Sequence, residues 1–138
     1  MKSHTLRGRV EPNSVKRLVV DDGRLTHAMI VDKFHVWAIS IASGDDPECA
    51  LGLNYDMGPD WDASDNRQIA WAGQTTTGTT RLMSFNLIDK DHLVNQDLYI
   101  SNFSIHPANY LIHMTAKTLS EDEAIMTLIK EASQNVTR

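Results

Sequence analysis

The chain has 138 residues, 41% apolar and 22% charged, which suits one ordinary core and excludes a disordered polypeptide. No apolar run approaches the roughly 20 residues of a membrane-spanning helix. The N-terminal stretch MKSHTLRGR lacks the apolar centre of a secretory signal, and the single cysteine, Cys49, excludes an internal disulfide or a cysteine-based zinc site. These features set the expectation of a protein kept, or assembled, in a reducing cytoplasm.

The formal charge of −5 conceals a division. Residues 1–20 hold five Lys/Arg and one Glu, while the remainder holds eight basic against seventeen acidic side chains. Residues 45–65 carry seven acids and no Lys or Arg. In chain order, residues 1–15 read as an extended basic arm, because Gly8 and Pro12 discourage regular structure. Two apolar runs, 17–20 and 25–31, flank Asp22 and Gly23, the dipeptide of a type I′ hairpin turn. Residues 33–42 alternate Phe34, Val36 and Ala38 with His35, Trp37 and Ile39. With both faces largely apolar, this strand calls for two covers, the core on one side and the C-terminal helix or a neighbouring subunit on the other.

Residues 43–66 read as an acidic loop around a short strand at 48–53. Another short strand follows at 68–72, then a polar turn over 73–80. Alternation predicts strands at 81–87, with Met83, Phe85 and Leu87 on one side, and at 92–101, with Val94, Leu98 and Ile100 inward and Asp97 outward. The last, 110–117, sets Tyr110, Ile112 and Met114 opposite Leu111, His113 and Thr115. Ser120 and Glu123 then fit a capping box. Ile125, Leu128 and Ile129 give the following helix one apolar stripe, which must dock to persist. The expected fold is all-β: an antiparallel β-sandwich, jelly-roll-like, with a basic N-terminal arm (1–15), a sandwich domain (16–117) and a C-terminal amphipathic helix (118–138).

Chemistry is harder to find. Asp60, Asp62 and Asp65 offer oxygen ligands to Ca²⁺, but the EF-hand spacing fails: there is no central Gly, and the twelfth position is Trp71. Asx turns account for the same residues. None of the six histidines pairs at metal-binding helical spacing. No nucleophile elbow, phosphate loop or dinucleotide fingerprint occurs. Asp45, Asp46 and Glu48 should raise the thiol pKa of Cys49 and blunt its reactivity. The reading is therefore not an enzyme, with no cofactor and no resident metal. Arg7, Arg9, Lys16 and Arg17 offer phosphate contacts to nucleic acid but lack interleaved aromatics, so a solvated leader or a strap between subunits ranks above that role. Trp37, Trp61 and Trp71 read as core and contact residues ahead of a sugar-binding platform, with Trp61, in the acidic loop, the candidate for exposure.

Several stretches together, 17–27 (RLVVDDGRLTH), 61–71 (WDASDNRQIAW), 89–100 (DKDHLVNQDLYI), 109–112 (NYLI) and 121–131 (EDEAIMTLIKE), carry a resemblance over about three-quarters of the chain. They resemble small uncharacterised proteins encoded by marine bacteriophages. The resemblance implies a virion structural protein, a capsid or coat component that self-assembles as a homo-oligomer beside other virion proteins, without a membrane. Its place would be the virion, assembled in the host cytoplasm. Heterologous contacts would join Arg7, Arg9, Lys16 and Arg17 to a neighbour's Asp60, Trp61, Asp62 and Asp65, with Ile125, Leu128 and Ile129 docking the helix. The rival reading is a tail or decoration protein that binds a host glycan or protein.

Overall fold

The computed structural model describes residues 3–20, 27–39, 46–56, 58, 60–77, 80–94, 96–118, 120 and 126. Its strands are β1 (Ser3–Val10), β2 (Ser14–Leu18), β3 (His27–Ala38), β4 (Glu48–Gly52), β5 (Gln68–Thr77), β6 (Thr80–Ile88), β7 (Leu98–Asn102) and β8 (Ala108–Thr118). They form two antiparallel sheets, one of three strands in the order β1-β8-β3 and one of five in the order β2-β7-β4-β5-β6. The described part is thus all-β.

Both sheets turn one face to a shared core. Val10, Phe34, Val36, Tyr110, Ile112 and Met114 come from the three-stranded sheet, and Leu18, Cys49, Leu51, Ala70, Ala72, Leu98 and Ile100 from the other. Each fully buried Leu, Ile or Phe among them contributes roughly 1.5–3 kcal/mol relative to exposure. The expected inward pair Leu98/Ile100 is buried, and of the two rows on β8 it is Tyr110/Ile112/Met114 that turns inward.

The basic arm is a correction. Residues 3–10 pair along their whole length with β8, from Ser3↔Thr115 to Val10↔Ala108, and residues 14–18 pair with β7. The local reason is an alternation masked by charge: Arg7 and Arg9 are exposed while Leu6, Gly8 and Val10 turn inward. Gly8 sits under Tyr110, whose hydroxyl would lie 2.8 Å from a Cβ at that position. An aromatic covering a strand glycine restores the packing that glycine lacks.

Three further expectations change. The runs flanking Asp22 and Gly23 do not pair with each other: β2 lies beside β7 and β3 beside β8, in different sheets. A turn-prone dipeptide favours a reversal but does not choose partners. The turn itself lies outside the described residues. Second, 27–38 is one strand with a bulge between Val31 and Lys33. Third, the supposed turn at 73–80 is mostly strand, with Thr77 paired to Thr80, since β-branched threonines suit a pleated backbone. On β6, Phe85 and Leu87 face away from the core, leaving Leu87 65% exposed. The C-terminal helix at 118–138, with Ile125, Leu128 and Ile129, lies outside the described residues apart from its strand-forming first residue, Ser120 and Met126.

Candidate functional site

The candidate site is a pair of outer faces. On the three-stranded sheet, outward side chains of β8 stand between those of β1 and β3. Leu111 is flanked by Arg7 and His35, Asn109 by Arg9 and Trp37, and His113 by Thr5 and Lys33. The alternation of buried and exposed positions sets their direction: Phe34, Val36 and Ala38 are buried, whereas Lys33, His35, Trp37 and Ile39 are exposed. The expected second cover over this strand is therefore missing among the described residues. Trp37 is 38% and Ile39 40% exposed.

Charge on this face is mostly positive. Arg7 and Lys33 make no ion pair among the described residues. Arg9 Nε lies 2.8 Å from Glu11 Oε1. Asp32, at the bulge, turns its carboxylate along the sheet, where the Thr115 hydroxyl donates to Oδ2 and His113 Nδ1 lies 3.3 Å away.

The opposite face, over the five-stranded sheet, is covered by the acidic loop between β4 and β5. Tyr99 points outward between buried Leu98 and Ile100, and Tyr55 meets it edge-on at 6.3 Å. Trp61 meets Phe85 edge-on at 5.0 Å, and its Nε1 donates to the Cys49 carbonyl at 3.1 Å. The same indole leaves no room at Gly73, where a Cβ would come within 3.1 Å of Trp61 and 2.8 Å of the Pro47 carbonyl.

Inside the loop, Arg67 and Asp65 form a bidentate pair, Nε to Oδ1 at 2.8 Å and Nη2 to Oδ2 at 2.7 Å, with side chains 9% and 2% exposed. Arg67 Nη1 also donates to the Asp56 carbonyl at 2.7 Å, which ties the start of the loop to its end. Hydrogen bonding to Asp65 holds the guanidinium pKa above its ordinary value, against the opposing effect of desolvation. Asp62 Oδ1 accepts from the backbone and hydroxyl of Ser64, and Gln68 Nε2 donates to the Asp60 carbonyl.

The sequence-predicted site residues therefore separate. Asp60 is exposed, Asp62 caps Ser64 and Asp65 is buried against Arg67, so Asp65 is withdrawn from any contact between subunits. Trp61, the candidate for exposure, is half-buried, and its indole packs as part of the wall, in keeping with the core-and-contact reading. Lys16 reaches over the Tyr110 ring at 5.2 Å from the centroid. Arg17 Nε donates to Asp97 Oδ2 at 2.6 Å, which explains why Asp97, expected outward, is buried. Only Arg7 and Arg9 of the four basic candidates reach the open face. The exposed Trp37 was legible as one member of a doubly apolar strand; Lys33 and Tyr55 had no such signal.

The thiol of Cys49 is pushed up from 9.0 to about 12, by burial first and by the charge of Glu48 second. Among the described residues, no group of three or more His, Cys, Asp or Glu could hold a metal ion, and no helix is long and apolar enough to cross a membrane. Comparison of the chain with protein-family models, with curated proteins and with solved structures gives no match.

Proposed function

We propose that this chain is a bacteriophage virion structural protein, a capsid or coat component that self-assembles through repeated subunit contacts. Its architecture in this reading is a jelly-roll-like β-sandwich with a C-terminal amphipathic helix at 118–138, and its place is the virion, assembled in the host cytoplasm. The observation that supports this architecture is the strand order. A jelly roll is a long antiparallel hairpin rolled into two sheets, so that the first strand meets the eighth, the second the seventh, the third the sixth and the fourth the fifth. Here β1 pairs with β8, β2 with β7 and β4 with β5. The remaining couple meets through a side chain, Asn86 Nδ2 of β6 donating to the Phe34 carbonyl of β3 at 3.1 Å.

Jelly rolls also build lectin and cupin domains, so strand order by itself does not select a function. The segment resemblance to small phage proteins and the division of charge between the two faces favour the virion. The exposed indole of Trp37 supports a second reading, a tail or decoration protein that binds a host glycan or protein. Electron microscopy of the concentrated full chain separates them. Rings, tubes or shells are the expected result. Isolated particles of one 15.5 kDa chain, with glycan binding that Trp37→Ala abolishes, would replace the coat reading by the second.

A further inference from the structure

We propose that the outer face of the three-stranded sheet docks a second copy of this chain, receiving the ridge of Tyr55, Asp56 and Asp60 that stands over the neighbour's five-stranded sheet. This inference rests on the assembling-protein reading and assigns its contact.

Single exposed apolar side chains are ordinary on a protein surface. On this face they are neighbours. Trp37 is exposed on β3 and Ile39 just past its end, and half-buried Leu111 stands on the next strand, beside His35. Arg7 and Lys33 flank that strip, while the carboxylate of Asp32 accepts from the Thr115 hydroxyl, with His113 Nδ1 3.3 Å away. An apolar centre with a basic rim asks for a partner with an apolar point and acidic flanks.

The opposite face of the same molecule has that chemistry. Tyr55 is 64% exposed, and Asp56 and Asp60 beside it in the loop are exposed. Arg67, anchored on Asp65 and holding the Asp56 carbonyl, fixes the ridge before any contact forms. Preorganisation of this kind lowers the ordering cost of association. Opposite charges then set orientation and encounter rate more than affinity.

Since the two surfaces lie on opposite sides of the molecule, the contact is heterologous: each copy gives its ridge to one neighbour and its open face to another. Such contacts close into a ring or extend into a lattice and do not stop at a dimer. Nucleic acid is the weaker fit, because a bound single strand wants successive aromatics along a basic groove. Among the described residues, this face shows one exposed aromatic side chain near Arg7 and Lys33.

The test is a charge swap on the full chain, read by light scattering after size exclusion. Arg7→Glu with Lys33→Glu reverses the open face, and Asp56→Lys with Asp60→Lys reverses the ridge. Each double variant is expected to lose at least half the wild-type mass at equal concentration. The fourfold variant, and an equimolar mixture of the two doubles, should regain it. All four positions are exposed, and Trp37→Ser, which leaves the charges in place, provides an independent disruption should a reversed chain fail to fold. A wild type that assembles, with both doubles keeping its mass, overturns this contact and leaves the assembly reading standing. A wild type of one chain at every concentration overturns both. Oligonucleotide binding lost in the Arg7/Lys33 variant at unchanged mass would assign the face to nucleic acid and overturn the proposal.

Discussion

Over the five-stranded sheet the chain supplies its own cover, with Tyr55 against Tyr99 and Trp61 against Phe85 and Gly73. Over the three-stranded sheet, Trp37 and Ile39 remain 38% and 40% exposed. Both faces carry aromatic and charged residues, so the sign of the charge tells them apart but not which is covered. The difference lies in where hydrogen bonds go. In the loop, Asp65, Asp62 and Gln68 are turned onto the loop's own backbone and onto Arg67, and this self-binding makes it a wall. Arg7, Lys33 and Trp37 have no such engagement among the described residues. The lesson is that a dense acidic stretch is partly scaffold, and that only its exposed members are available to a partner.

The largest effect that would break this comparison comes from the wall. Asp65→Ala leaves Arg67 buried without its anion, and removing one partner of a buried pair costs about 3–5 kcal/mol. Urea denaturation should show that loss, and a loss under 1 kcal/mol would mean the loop is not stapled by this pair. Next comes Trp61→Ala, which removes an edge-on aromatic contact and the bond to the Cys49 carbonyl. The expected cost is about 2–3 kcal/mol, below the range for a fully buried tryptophan. Unchanged stability would mean that the indole is not part of the wall.

Cys49 sharpens the same point through pH. Its thiol keeps its proton in the folded protein to about pH 12, while the unfolded chain loses it near 9.0. Its contribution is therefore fully present below pH 9 and is lost as pH rises between these values, by about 1.4 kcal/mol per unit. Cys49→Ala should flatten that alkaline slope in denaturation curves collected from pH 8 to 11. A slope identical in the two proteins would contradict the buried, protonated thiol. Smaller still is Gly8→Val, which pushes a side chain into the Tyr110 hydroxyl and should cost about 1–3 kcal/mol at most. Wild-type melting in that variant would show that β1 is not clamped by Tyr110.

How much of this was legible in the sequence depends on the range of the interaction. The all-β class and the inward rows around Leu98, Ile100, Tyr110, Ile112 and Met114 follow from local alternation. Strand β1 was hidden because its inward row contains Gly8, whose partner Tyr110 lies a hundred residues away; without that partner, Arg7 and Arg9 dominate the pattern. The hairpin expected around Asp22 failed for the same reason, since the partners of β2 and β3 come from β7 and β8 at the far end of the chain. The charge division was plain in the sequence, but which acids face solvent was not. Asp65 and Asp60 look equivalent until Arg67 folds back onto one of them. Trp61 looked exposed because its neighbours are acids; the glycine that makes room for it, Gly73, lies in the next strand.

In the proposed assembly, two opposed faces, one self-covered and acidic, the other open and basic, join copies of this chain. Sedimentation equilibrium of the full chain, over a range of concentrations at low and high ionic strength, tests it most directly. The expected result is a mass several times 15.5 kDa that rises with concentration and falls as salt screens the contacts. A mass of one chain under every condition would contradict it.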